Sequence, residues 1–416
     1  MKIALLMHEL LIEGGGERQC LSLADALSRK GHDVTIFTCE YDPANCFPDV
    51  CKSLRIEQVG RWFQSLRRPR FVRGYLDMKR LASAVNTKHD IWNPHHWPAQ
   101  WAAVWLKRKL GGSVLWMCND VPTFPEKSQQ RGSVKKSISA AVHRFYYWYD
   151  RKQNRKMDLT LLLSRWAESE FRAVYDGPTC VVRSGMDPVR FTSGGGREKI
   201  RSRFEFNEKD FVLLWLGIFM PHRRLEDAIE AVALLADRGV RVKLLLAGSP
   251  TSFPGYFDSL KALVSRLGIE SQVIFAGKVA DEEIRDFYCS CDAFLFPNDQ
   301  QTWGLAVLEA MACGCPVLVS RGSGVHEVLT DNCDALLFPP RNPQTLSTKI
   351  EILVTQPALQ KEIAANGIRL VQQSYNWDRF ADQIEAIAAE FVDLKDSSGN
   401  INPVMVNNGR QTARVK

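Results

Sequence analysis

Residues 304–319 read GLAVLEAMACGCPVLV, and this stretch decides the fold. Gly304 opens a helix in which Leu305, Leu308 and Ala312 recur at helical spacing and share a face. Gly314 supplies the C-terminal stop, and Pro316 begins a strand that stays apolar through Val319. A short helix that delivers the chain into a continuous apolar strand belongs to a parallel sheet covered on both faces. Glu309 is the carboxylate inside this apolar run, one to two turns from the helix start. Buried there, it needs a polar partner. Two vicinal hydroxyls, as on a ribose, satisfy that need, and so does an arginine from a neighbouring domain.

The same alternation extends outward through nearly the whole chain. Strand candidates in the first half are Lys2–Met7, Asp33–Thr38, Val114–Cys118, Leu159–Leu163 and Cys180–Arg183. In the second half they are Phe211–Leu216, Val242–Ala247, Val273–Phe275, Ala293–Phe296, Pro316–Val319 and Ala335–Phe338. Two series of apolar strands separated by helices predict two doubly wound α/β domains. The break falls between Thr192 and Glu208, where Gly194-Gly195-Gly196 leads into a charged segment and β-α alternation restarts. The reading therefore divides the chain into residues 1–193, 194–396 and a tail, 397–416. A helical pattern from Asn342 to about Leu394 ends the second domain, its last part able to return to the first. The tail is rich in Asn, Ser and Gly without apolar periodicity and reads as disordered.

Composition narrows the function classes. With 45% hydrophobic and 24% charged residues, the chain reads as globular. The apolar run Ile3–Met7 stops at His8 and Glu9, too short for a signal core, and no stretch approaches the roughly 18 apolar residues of a membrane span. Cytoplasmic residence is the expectation. The 11 cysteines are scattered, lack any Cys-x-x-Cys, and several (Cys289, Cys291, Cys313, Cys315) sit in apolar runs. They read as reduced thiols used as small hydrophobes, not as a zinc or redox motif. Charge is uneven: residues 1–190 hold 30 Lys+Arg against 19 Asp+Glu, and the remainder 24 against 28. In the basic half the cations alternate with aromatics, in Arg61-Trp62-Phe63, from Arg67 to Arg73, and from Lys135 to Lys156 with Phe145, Tyr146, Tyr147, Trp148 and Tyr149. A solvated basic face accounts for this, and so does an anionic membrane surface at the inner face of the membrane. No nucleic-acid-binding motif accompanies the charge.

Ligands of doubly wound sheets sit beyond the carboxyl ends of the strands. The first such turn is Gly14-Gly15-Gly16-Glu17, before a helix from Arg18 to Arg29. Its glycines allow close backbone approach, and a helix start offers free N–H groups to an anion. The dinucleotide fingerprint needs another glycine near position 19, where Gln19 stands, so a nicotinamide-dependent oxidoreductase lacks its motif. His95 and His96 follow a strand near Ile91.

These motifs, in this order, resemble glycosyltransferase family 4, the retaining transferases of the GT-B fold. The most specific part is Gln301 to Val319, followed by Gly322 to Val328 and Ala335 to Pro340. Gly14 to Glu17 with Leu27 to Thr38 resembles the family's opening, and Gly185 through Phe191 the approach to the interdomain linker. Leu246-Ala247-Gly248 and Phe275-Ala276-Gly277 fit two strand ends around the nucleotide base. The resemblance implies two facing Rossmann-like domains, the first on the acceptor side and the second holding a nucleotide-sugar donor. It implies donor contacts from Gly15, Gly16, Arg223, Arg224, Gly248, Gln301, Gly304, Leu305 and Glu309, the last on the ribose. It implies that His95, Arg223 and Gln301 act at the reacting centre.

Two positions depart from the family pattern. Its first glutamate falls on Gln301, an amide that can bond a sugar hydroxyl but supplies no charge. Its Arg and Lys for the donor diphosphate fall on Ile218 and Arg223, with Arg224 adjacent as a second cation. No Asp-x-Asp occurs, so neither a metal nor another cofactor is expected. The resemblance implies front-face attack, in which the donor phosphate takes the proton of a lipid-linked or glycan acceptor. The other function class is a sugar-nucleotide-binding protein without catalysis.

Overall fold

The computed structural model describes residues 1–61, 70–121, 134–251 and 253–398, the side chains of 70–71, 134–143 and 394–398 excepted. The chain divides into two compact units. One comprises Met1–Val182 with the chain from Phe380 onward, the other Arg183–Arg379.

The N-terminal unit is built on seven strands, β1 (Lys2–Leu10), β2 (Asp33–Tyr41), β3 (Ile56–Gln58), β4 (Ile91–Pro94), β5 (Ser113–Met117), β6 (Leu159–Leu162) and β7 (Thr179–Val181). Their order is β3-β2-β1-β4-β5-β6-β7, and the pairings are parallel, with Lys2 opposite Asp33 and Ile3 opposite Ile91. Leu6, Trp92 and Trp116 from the sheet pack with Met78, Leu81, Ala102 and Ala103 from helices in one core. Such runs are apolar on both faces because both faces are covered. The sequence reading gives no bounds for β4 and omits β3. The first is four residues long and ends in Pro94; the second is three residues at the sheet edge.

The C-terminal unit carries β8 (Phe211–Leu216), β9 (Val242–Ala247), β10 (Val273–Gly277), β11 (Ala293–Phe296), β12 (Val317–Ser320) and β13 (Leu336–Phe338), in the order β10-β9-β8-β11-β12-β13. All six expected segments are strands. The helical pattern after Asn342 resolves into helices Pro343–Thr355, Pro357–Ser374 and Trp377–Ser398. Proline opens the first two, where its missing N–H is tolerated.

The units change over at Val182/Arg183 and Arg379/Phe380; the sequence reading divides the chain at 193/194 and 396/397. The Trp377–Ser398 helix thus returns to the N-terminal unit, where Glu385 accepts hydrogen bonds from Lys30 Nζ (2.8 Å) and His32 Nε2 (2.9 Å). The tail beyond Ser398 lies outside the described residues, as do residues 62–69 of the first two basic-aromatic segments. In each sheet the strand order reverses beside the unit's first strand, between β1 and β4 and between β8 and β11. Loops leaving those neighbours part there and open a crevice at the carboxyl edge.

Candidate active site

In the C-terminal unit the two loops that flank the reversal are joined. Beyond β8 the chain passes Gly217 and Ile218 and makes a single 3-10 turn, Pro221–Arg223. Beyond β11 it runs through Asn298 and Asp299 to Gln301. Asp299 N–H donates to His222 O at 2.8 Å, and Arg223 Nη1 donates to Gln301 Oε1 at 2.6 Å. The loop after β11 is fixed on its other side, with Gly324 N–H donating to Gln301 O at 2.7 Å. The sequence-assigned pair Arg223 and Gln301 therefore meets at the switch point. Ile218, in the place of a cation, is 38% exposed.

Arg224 is placed differently. It precedes the Leu225–Asp237 helix in a left-handed conformation, φ 52°, and its guanidinium is held by Glu226 (2.5 Å) and Asp227 (2.6 Å). Acidic residues in the first turn of a helix are ordinary. These two also neutralise the second cation that the sequence reading offers to a diphosphate.

Gly248 closes the end of β9 against the end of β8. Its φ is +151°, and a Cβ there would lie 1.6 Å from Gly217 O. Gly248 N–H donates to Gly277 O at 2.7 Å, so the ends of β8, β9 and β10 close together around these glycines. Only glycine tolerates this approach.

Gly304 caps the Leu305–Ala312 helix, and a Cβ on it would press on Val325 and Phe296. Glu309 is 9% exposed and accepts from Tyr288 Oη at 3.0 Å. Burial, with the Glu309 carboxylate beside it, pushes the Tyr288 hydroxyl far above its ordinary pKa, so it remains a donor. The expected polar partner of Glu309 thus includes a tyrosine from the Ile284–Ser290 helix. Tyr288 lies 21 residues away and carries no sequence signal for this contact.

The N-terminal switch point gathers Gly15, Gly16, Glu17, His95 and His96. The first helix begins at Gly15, ahead of the expected Arg18. A Cβ on Gly16 would lie 1.7 Å from His96 Nε2, so the imidazole rests directly on this glycine. His96 has φ +59°. Burial raises the Glu17 carboxyl above its ordinary range, opposed by the charge of His96. His95 is fully buried beneath them. Its N–H donates to Leu6 O, and its Nε2 bonds Asn93 Oδ1 at 2.9 Å. Burial, with His96 adding to it, lowers its pKa to about 3. His96 is thus the accessible imidazole of the pair.

Among the described residues, no group of three or more His, Cys, Asp and Glu is placed to hold a metal, and no helix is long and apolar enough to cross a membrane. On the Val134–Asn154 helix, Phe145 is 64% and Trp148 53% exposed, their rings 5.7 Å apart, with Lys152 Nζ 5.0 Å from the Trp148 ring.

Comparison with known proteins accords with this architecture. Residues 13–190 match the model described as Glycosyltransferase Family 4, and residues 196–370 that of Glycosyl transferases group 1. The uncharacterized glycosyltransferase MJ1607 of Methanocaldococcus jannaschii is 25% identical over 398 residues, 92% of this chain and 96% of that protein. Mannosylfructose-phosphate synthase of Agrobacterium fabrum is 22% identical over 90% of this chain and 86% of its own length. Anabaena Alr3699/HepE, crystallised with UDP and glucose, superposes with a TM-score of 0.75 at 18% identity, over 94% of this chain and 100% of that one. The two family matches together take in most of the sequence, one on each unit, and the chain belongs to the group 1, family 4 glycosyltransferases of the GT-B fold.

Proposed function

We propose that this glycosyltransferase moves a sugar from a nucleotide-sugar donor to a lipid-linked or glycan acceptor, with retention and without a metal. The observation that carries the reading is the Arg223–Gln301 hydrogen bond at the β8/β11 switch point. It brings a guanidinium and a carboxamide to the crevice where doubly wound sheets bind ligands. As the glycosidic bond breaks, negative charge develops on the leaving nucleoside diphosphate. Arg223 and the N–H groups at Gly304 and Leu305 stabilise that charge. Gln301 orients a sugar hydroxyl, Glu309 accepts from the ribose hydroxyls, and Gly248 lets the backbone approach the base. On the acceptor side, Gly15 and Gly16 supply close backbone approach. His96 lies over them, with the buried His95 behind. The donor phosphate takes the acceptor's proton.

The exposed Phe145–Trp148 pair, flanked by cations, supports attachment to the anionic inner face of a membrane, where a lipid-linked acceptor resides. Flotation with phosphatidylglycerol and phosphatidylcholine vesicles tests it. Binding to the anionic vesicles alone, lost in the double variant Phe145→Ser/Trp148→Ser, is the expected result.

The donor is tested by thermal stabilisation with a panel of nucleotide sugars. The best one is then incubated with acceptor and the anomeric configuration of the product read by NMR. Retention in the presence of EDTA is expected; an inverted product or a metal requirement sinks the mechanism.

A further inference from the structure

Four cysteines of the C-terminal unit stand in two matched pairs. Cys289 and Cys291 lie where the Ile284–Ser290 helix gives way to β11. Cys313 and Cys315 lie where the Leu305–Ala312 helix gives way to β12. Strands β11 and β12 are parallel neighbours, with Phe294 opposite Val317. The two helix-to-strand connections therefore run side by side, and the cysteines meet two by two. In the inner pair Cys291 Sγ lies 3.2 Å from Cys315 Sγ, both residues buried. In the outer pair the Cys313 thiol donates a hydrogen bond to Cys289, and of the four only Cys289 is partly exposed.

We propose that Cys289 and Cys313 form a redox-active dithiol that reacts with hydroperoxides and closes to a disulfide, weakening nucleotide binding through Glu309. The thiolate is the nucleophile in such chemistry. The hydrogen bond from Cys313, with the nearby Arg285 guanidinium, lowers the Cys289 thiol to about 7. Cys289 Sγ attacks one peroxide oxygen, the O–O bond breaks, and hydroxide or alkoxide leaves, giving a sulfenic acid. Cys313 Sγ, losing its proton, then attacks that sulfur, and water leaves as the S–S bond forms. The peroxide gains two electrons and the dithiol loses two.

The effect on the donor rests on the reading of Glu309 given above. Cys313 N–H donates to Glu309 O at 3.1 Å, and Tyr288, the neighbour of Cys289, donates to the Glu309 carboxylate. A bond between Cys289 and Cys313 ties together the ends of both helices and shifts the Tyr288–Glu309 contact.

The experiment treats the full chain with stoichiometric hydrogen peroxide and follows intact mass, peptide maps, and calorimetric affinity for UDP and GDP. Expected are the loss of two hydrogen atoms in mass, a Cys289–Cys313 cross-linked peptide, reversal by dithiothreitol, and nucleotide Kd raised about tenfold. Cys291→Ser keeps the cross-link. Cys313→Ser stops at a sulfenic acid on Cys289 that dimedone traps. No mass loss, a disulfide between other cysteines, or a Cys289–Cys313 disulfide with unchanged Kd overturns the proposal. If the reduced protein binds neither nucleotide, both the donor reading and the coupling through Glu309 fail. The peptide map then still decides the dithiol chemistry.

Discussion

The two switch points share a topology and differ in what fills them. At β8/β11 a guanidinium meets a carboxamide at 2.6 Å, and a glycine at the neighbouring strand end presses on backbone. At β1/β4 a glycine presses on an imidazole, and the histidine beneath is sealed from solvent. The first arrangement is polar and fixed by backbone on both sides. The second is closed by one movable ring. The difference teaches that a glycine's neighbour, more than the glycine itself, determines how much freedom a ligand crevice retains.

Alanine in place of each glycine tests this directly. Gly248→Ala drives a methyl into the Gly217 carbonyl at a positive φ, and neither side can yield. We expect a loss of about 3 kcal/mol or more in chemical denaturation. Gly16→Ala meets the end of a side chain at a similar nominal distance, but His96 can rotate away. Its expected cost is about 1 kcal/mol, at the low end for overpacking. Equal losses would erase the distinction.

The Arg223/Arg224 pair carries the next largest effect, this time on rate. Arg223→Ala should slow transfer by about 2–4 kcal/mol of barrier, as for other preorganised charge stabilisers, with the melting temperature unchanged. Arg224→Ala removes ion pairs to Glu226 and Asp227 and should cost stability by up to about 1 kcal/mol, with turnover near the parental rate. If Arg224→Ala instead abolishes transfer, its ion pairs open on donor binding and the sequence reading of that residue holds.

Much of this was legible beforehand, for identifiable reasons. Residues 304–319 announce their helix and strand because a glycine start, a glycine stop and a proline punctuate one apolar run. Gly248 follows an unbroken strand, so its position at a strand end could be read. Ile91–Pro94 is too short to show periodicity and ends in a residue that central strands disfavour. Its place beside β1 is set by tertiary pairing. Tyr288 and Glu309 are likewise joined by folding alone. The partners of Arg224 were visible, since Glu226 and Asp227 follow it directly; the local density of positive charge drew attention away from them.

A smaller effect separates the two histidines by pH. Native His95 stays neutral down to about pH 3 because its pKa is lowered to about 3, whereas in the unfolded chain it protonates near the ordinary 6.5. Between those values the unfolded state binds the extra proton, so this contribution to stability is lost as pH falls through that window. His95→Gln should flatten the decline in stability between about pH 6 and 4, measured by denaturation, while His96→Gln should leave the slope unchanged. Identical slopes in parent and His95→Gln would place the titrating group elsewhere.

The smallest effect belongs to Gln301, and it decides how the C-terminal switch point works. Its Oε1 accepts from Arg223, so Gln301 can act through that guanidinium, by its own contact with the sugar, or both. Gln301→Ala should lower kcat/KM by about 1 kcal/mol, the ordinary worth of one hydrogen bond. Gln301→Glu should cost less: it keeps the shape and the acceptor, and a carboxylate also favours positive charge at the anomeric carbon. It binds Arg223 more tightly, however, since a bond between charged groups is roughly twice as strong, and a cation so held is less available to the diphosphate. The two consequences separate in the kinetics, a gain in kcat reflecting the anomeric centre and a rise in donor KM reflecting the restrained arginine. The double variant Arg223→Ala/Gln301→Ala resolves the remaining ambiguity. If Gln301 serves only to position Arg223, the double variant should be no slower than Arg223→Ala, because the amide has nothing left to hold. If Gln301 makes its own hydroxyl contact, the two losses should add to within about 0.5 kcal/mol. Additive losses are expected, because the loop that carries Gln301 is fixed by backbone bonds from Asp299 and Gly324 and keeps the amide at the crevice without Arg223.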